Sequence, residues 1–169
     1  MTGPDPKSAE PFDPRLFMSY VRKVGHGGAI GIAYHAHGED WAELSLAYDE
    51  RLIGMTESGI IASGPIISLM DMATSLAIWI RLGRFRHQAT LDLRVDYLRP
   101  ARPGNTIIGR GICYGVTRSV GFVRGLAHDG EAGDPVASVT GTFMFTSRSS
   151  TSIPTNTTTA ITTITTTRP

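Results

Sequence analysis

The sequence predicts an α+β domain in which one long central helix is wrapped by an antiparallel β-sheet. Three observations predict it. Gly59 to Arg84 (GIIASGPIISLMDMATSLAIWIRLGR) is apolar around nearly its whole middle, and a helix that is hydrophobic on every side is either buried or spans a membrane. Ser68, Asp71, Thr74 and Ser75 interrupt that run before it reaches the roughly 20 apolar residues a span requires, so a buried helix is expected. The flanking segments alternate polar and apolar residues with period two, the mark of half-buried strands. Their order is two strands, the helix, then four strands, which suits a helix packed on an antiparallel sheet.

The 169 residues suit one domain. A formal net charge of +1 argues neither for nor against a charged partner, and there is no basic run of the kind that tracks nucleic acid, so no nucleic-acid partner is expected. Cys113 is the single cysteine, so no internal disulfide forms and a reducing compartment is the easier setting. The N-terminal MTGPDPKSAEPFDPR carries prolines and acids where a signal peptide needs an apolar core. The expectation is a soluble cytoplasmic protein with no membrane association.

Residues 1–24 read as a proline-punctuated lead holding a short helix, with Asp13 as cap, Pro14 in the first turn, and Leu16, Phe17, Tyr20 and Val21 as its apolar side. Residues 25–146 read as the folded domain. It opens on GHGGAIG, residues 25–31, which lacks the spacing of a nucleotide-binding loop and reads as turn chemistry. Ala29–His37 and Asp40–Tyr48 are two strands joined at Gly38. His35 and His37 share a strand face, but no acid or thiol stands at metal-ligand spacing, so no metal site is expected. Asp49–Ser58 is a polar loop.

In the central helix, Ser63 and Gly64 suit cap positions and Pro65 the first turn, while Arg81, Gly83 and Arg84 suit the C-terminus. Asp71 falls two turns in, where a carboxylate is costly unless it is paired, hydrogen-bonded or part of a site. The structural alternative is a carboxylate satisfied by helix N–H groups or by Ser68, Thr74 and Ser75. Beyond the helix, Leu91, Leu93, Val95 and Tyr97 are expected on one strand face and Asp92, Arg94 and Asp96 on the other. Three more strands follow at Thr106–Val116, Ser119–Asp129 and Pro135–Thr146. Residues 147–169 turn to threonine and serine, too polar to offset the entropy of ordering, and are expected to be disordered. A sheet with one helix on one face leaves open edges, so a homodimer, or a dimer of dimers, is expected.

Gly59 to Ala77 together with TLDLRVDYLRPA, Thr90 to Ala101, resembles the PaaI-type acyl-CoA thioesterases of the hotdog fold. The resemblance covers roughly residues 25–146 and is most specific at Asp71 and at Asp92 to Ala101. It implies hydrolysis of a medium-chain or aromatic acyl-CoA, with Asp71 as nucleophile or general base toward water. It implies backbone N–H groups at the helix start, Ser63 and Gly64, polarising the thioester carbonyl, and Thr90 assisting the water or the carboxylate. It implies that the helix start of one subunit faces the acid of the other. No cofactor is implied, since coenzyme A is part of the substrate. Its phosphates would call for arginines such as Arg118 and Arg99. Thr56 stands where some relatives place a substrate-contacting asparagine. The turn Ala62-Ser63-Gly64-Pro65 replaces the family's His-Gly-Gly, and the alternative it raises is a hotdog domain that binds acyl-CoA without turnover.

Overall fold

The computed structural model describes residues 12–146, so the tail beyond residue 146 and the first eleven residues of the lead lie outside the described chain. Helix α1 (Pro14–Val21) starts as its sequence requires, with the Asp13 carboxylate accepting from the N–H groups of Arg15 and Leu16 and Pro14 in the first turn. Its inner face is Pro14, Phe17, Met18 and Val21, an i, i+3, i+4, i+7 stripe. Leu16 and Tyr20, expected on that face, point to solvent. Phe12 and Phe17 meet Trp79 at centroid distances of 6.0 and 4.9 Å, which docks α1 on the far end of the central helix.

The GHGG segment is not a simple turn. It closes into a short helix, α2 (Gly25–Ala29), lying against α1 and the central helix. Strands β1 (Ile32–His37) and β2 (Trp41–Leu46) follow. The polar stretch after β2, expected as loop, contains a 3-10 turn at Glu50–Leu52 and a small hairpin of β3 (Ile53–Met55) and β4 (Ile60–Ile61). Helix α3 (Ser63–Leu82) comes next, and Gly83 ends it in the left-handed conformation at φ 63°, the usual role of glycine there. Strands β5 (Gln88–Tyr97), β6 (Ile107–Val116), β7 (Val120–His128) and β8 (Ala137–Phe145) complete the chain.

Six strands form one antiparallel sheet in the order β1-β2-β6-β7-β8-β5. The sheet curves around α3, which packs on β2, β6 and β7. Leu69, Met70, Ala73, Leu76, Ala77 and Ile78 of the helix are fully enclosed, with Leu44, Ile107, Val123 and Phe143 opposite them. α3 is long and apolar enough to cross a membrane, but it spends that apolarity on the core. The approach is closest at β6, where a Cβ on Gly111 would stand 2.6 Å from the Ala73 backbone. Glycine is needed there to let the helix lie down on the strand.

The alternation expected along β5 breaks at one place. The β5–β8 register shifts between Thr90 and Asp92, so Leu91 sits in a β-bulge, 55% exposed, instead of sharing a face with Leu93. A bulge reverses the sense of alternation. Before it Gln88 and Thr90 face α3, and after it Leu93, Val95 and Tyr97 do.

Candidate active site

One face of α3 carries a polar stripe on an otherwise apolar cylinder: Gly64, Ser68, Asp71 and Ser75, which fall within about 60° of one another at 100° per residue. Each polar side chain of the stripe is met from another element. His26 Nε2 lies 3.0 Å from Ser68 Oγ. Thr90 Oγ1 donates to Asp71 Oδ1 at 2.8 Å. Gln88 Nε2 donates to Ser75 Oγ at 2.7 Å. The β5 bulge is what brings the Gln88–Thr90 segment onto the helix.

Asp71 is half-buried, and the helix residues Ser68, Thr74 and Ser75 do not satisfy it. Thr74 donates to the backbone carbonyls of Met70 and Asp71, Ser68 to the carbonyl of Gly64 at 3.1 Å, and Ser75 is taken by Gln88. Among the described residues Thr90 is the only hydrogen-bond donor to the Asp71 carboxylate. Its second oxygen takes no hydrogen bond among the described residues and is not sealed from solvent.

The start of α3 is built without a side-chain cap. The N-cap residue is Ala62, one position earlier than expected, and it makes no capping bond. Ser63 and Gly64 are therefore the first two helical residues, and their N–H groups have no carbonyl within the helix to bond. Pro65 contributes none. Two donors without a partner among the described residues, at the positive end of a helix dipole, suit an anion or a developing oxyanion. The Tyr97 hydroxyl donates to the Ser63 carbonyl at 3.0 Å. Burial pushes the Tyr97 phenol up, with the Ser63 bond opposing, so it remains a donor at neutral pH. A depression of about 340 Å³ opens beside this turn, lined by Ser63, Tyr97 and Arg99 as well as by apolar residues such as Ile60, Ile66 and Leu98.

The other residues singled out in the sequence stand apart from the polar stripe, although Arg99 lines the depression beside Ser63. Thr56 is exposed at the tip of the β3–β4 hairpin and joins none of the polar contacts of the stripe. Arg99 is held inside the fold: its guanidinium bonds Asp129 at 2.6 and 3.0 Å and the Asp134 carbonyl at 2.6 Å. That engagement makes it a structural cation instead of a free one. Arg118 is exposed in the β6–β7 turn, its carbonyl accepting from Arg86 at 3.0 Å. Arg84, Arg86 and Arg118 edge a second depression of about 700 Å³ beyond the C-terminal end of α3, and none of the three forms an ion pair among the described residues. Of the residues expected in a site, Asp71 and Thr90 come together and Ser63 and Gly64 come together. Tyr97, His26, Ser68, Ser75 and Gln88 join them without having been expected as site residues.

Comparison with known proteins bears on the family and the fold. The thioesterase superfamily profile matches residues 58–136. A medium/long-chain acyl-CoA thioesterase of Escherichia coli, YigI, is 27% identical over 97 residues, 49% of this chain and 62% of that protein. A crystal structure of a Pseudomonas aeruginosa protein is 38% identical, covers 79% of this chain and 96% of its own, and superposes with a TM-score of 0.69. The PaaI protein of the Escherichia coli phenylacetic acid degradation operon shares the fold at 15% identity, with a TM-score of 0.66 over 79% of this chain and 94% of its own. The chain matches two of its curated relatives over 53% and 62% of their own length.

Proposed function

We propose that this chain, which belongs to the thioesterase superfamily and has its hotdog fold, hydrolyses acyl-CoA thioesters with Asp71 as the reacting carboxylate. The observation that carries the reading is the pairing of Asp71 with Thr90 on the open face of α3, together with two unengaged N–H groups at the start of the same helix. A carboxylate oriented by a hydroxyl can attack a thioester carbonyl or take a proton from the attacking water. The N–H groups of Ser63 and Gly64 stabilise the oxyanion that forms. The thiolate of coenzyme A then leaves, and water supplies the oxygen of the free acid.

These two halves of the chemistry do not meet within one protomer. Asp71 is eight residues beyond Ser63, about 12 Å along a helix axis, whereas one carbonyl must touch both groups within about 3 Å. The reading therefore includes a homodimer in which α3 of one copy offers its N-terminus to Asp71 of the other. β5 is an end strand of the sheet, its outer edge unpaired among the described residues, which suits pairing with a second copy. The aliphatic depression beside Ser63 suits a medium-chain or small aromatic acyl group, and the arginines around Arg118 suit the phosphates of coenzyme A.

The test is release of free thiol from short, medium, long, phenylacetyl and benzoyl acyl-CoAs, with Asp71→Asn alongside. Turnover reduced at least about 100-fold in the variant is expected, the scale of losing a reacting group. Turnover that survives in Asp71→Asn overturns the assignment. Tight binding of acyl-CoA without thiol release selects a binding domain instead.

A further inference from the structure

The GHGG segment supplies neither the carboxylate nor the N–H donors of the proposed reaction, yet the fold fixes its path closely. Gly25 and Gly31, at φ +67° and +81°, turn the chain into and out of α2 in the left-handed region that other residues avoid. A Cβ on Gly28 would stand 2.7 Å from the Arg22 carbonyl, so only glycine lets α2 tuck under the end of α1. What these three glycines deliver is His26, whose Nε2 lies 3.0 Å from Ser68 Oγ. Ser68 in turn donates to the carbonyl of Gly64 at 3.1 Å. With the hydroxyl proton on that carbonyl, His26 Nε2–H is the donor to Ser68. The chain of donors runs from His26 through Ser68 to the peptide group of the first turn of α3.

That turn needs outside support. Its N-cap, Ala62, supplies no side-chain bond, the bond that normally steadies the start of a helix. Gly64 carries the largest backbone entropy of any residue. Pro65 removes the third N–H, which leaves Ser63 and Gly64 as the whole donor set. Donors act on a transition state only when they are already aimed. The structure holds the turn by its carbonyls: Tyr97 bonds that of Ser63 and Ser68 that of Gly64.

We propose that His26 is a positioning residue for the oxyanion-binding turn, acting through Ser68. The assignment rests on the thioesterase reading, since it concerns the aim of the same two N–H groups. It gives the glycine-rich segment a purpose: glycines to set the chain path, histidine to brace the helix start.

The experiment measures kcat and KM for the best acyl-CoA of the panel with wild type, His26→Ala, His26→Gln, Ser68→Ala and the double variant His26→Ala/Ser68→Ala. His35→Gln, an exposed histidine on β1, serves as control. His26→Ala and Ser68→Ala are each expected to lower kcat about 5- to 20-fold with KM within about twofold, less than the 100-fold or more of deleting an oxyanion donor. His26→Gln, which keeps an N–H donor, restores most of the rate. The double variant is no worse than either single one, because both cut the same chain. Unchanged kcat in both single variants overturns the proposal, as does a rise in KM alone, which would make His26 a substrate contact. Ser68→Ala leaves α2 untouched and keeps the test sound if His26→Ala loosens the segment. A folded wild type inactive on the whole panel overturns the thioesterase reading first, before any substitution is compared.

Discussion

Asp129 shows at the residue scale how this fold uses charge outside the candidate site. It is 2% exposed and accepts from both ends of the Arg99 guanidinium and from the Arg102 N–H at 2.6 Å. The Arg99 hydrogen bonds hold its carboxyl down to about 2 from the ordinary 3.8, against the opposing effect of burial. A depressed carboxylate stabilises the folded state above its unfolded pKa and loses that contribution as pH falls through the folded value. The shift corresponds to about 2 kcal/mol. Asp129→Asn is expected to unfold at lower denaturant than wild type at pH 7, and the gap between the two should shrink by about that amount between pH 5 and pH 2. A gap constant over the whole range would show that the pair contributes through packing alone. The same ion pairs occupy the Arg99 guanidinium, which Asp129 and Asp134 flank.

The element that decides the site is β5, and specifically its bulge. An ideal strand would place Thr90 on the opposite face from Leu93 and Tyr97. The register shift at Leu91 lets Thr90 reach Asp71 and Tyr97 reach Ser63, two contacts eight helix residues, about two turns, apart on α3. Glycine positions on β6 decide how near α3 can lie. Gly111→Ala would press a methyl group into the Ala73–Thr74 backbone, where neither side chain can swing aside. Overpacking of this kind costs about 1–3 kcal/mol, so the variant is expected to lose that much in a denaturant titration while keeping its far-UV spectrum. A variant as stable as wild type would mean that the helix can lift from the sheet without cost.

For the whole molecule, the question is whether one copy holds a complete site. Mixed dimers answer it. Ser63→Pro removes an N–H at the first helical position, where proline is well tolerated, and Asp71→Asn removes the carboxylate from the same helix. If the site is shared between copies, co-expressing the two inactive variants restores about a quarter of wild-type turnover, since half the dimers are mixed and each mixed dimer has one intact site. If a single chain holds the site, the mixture remains inactive. A wild-type protein that runs as a monomer in light scattering while turning over substrate would also rule out sharing.

Composition and period alone were enough for the central helix, the six main strands and their order, because burial of an all-apolar helix and half-burial of strands leave a mark on every residue involved. The α1 cap was legible for the same local reason: Asp13-Pro14 acts on its own next turn. Asp71 stood out as a charge in an apolar run, and a family resemblance supplied its partners. The β3–β4 hairpin, the α2 helix and the true cap at Ala62 were not legible, since short elements take their form from what they pack against. Least legible were the contacts that make the site. The Leu91 bulge, the His26–Ser68 bond across 42 residues and the capture of Arg99 by Asp129 join groups distant in the chain. Local sequence carries no record of such distances. Only the closing of the sheet around α3 decided which of them would meet.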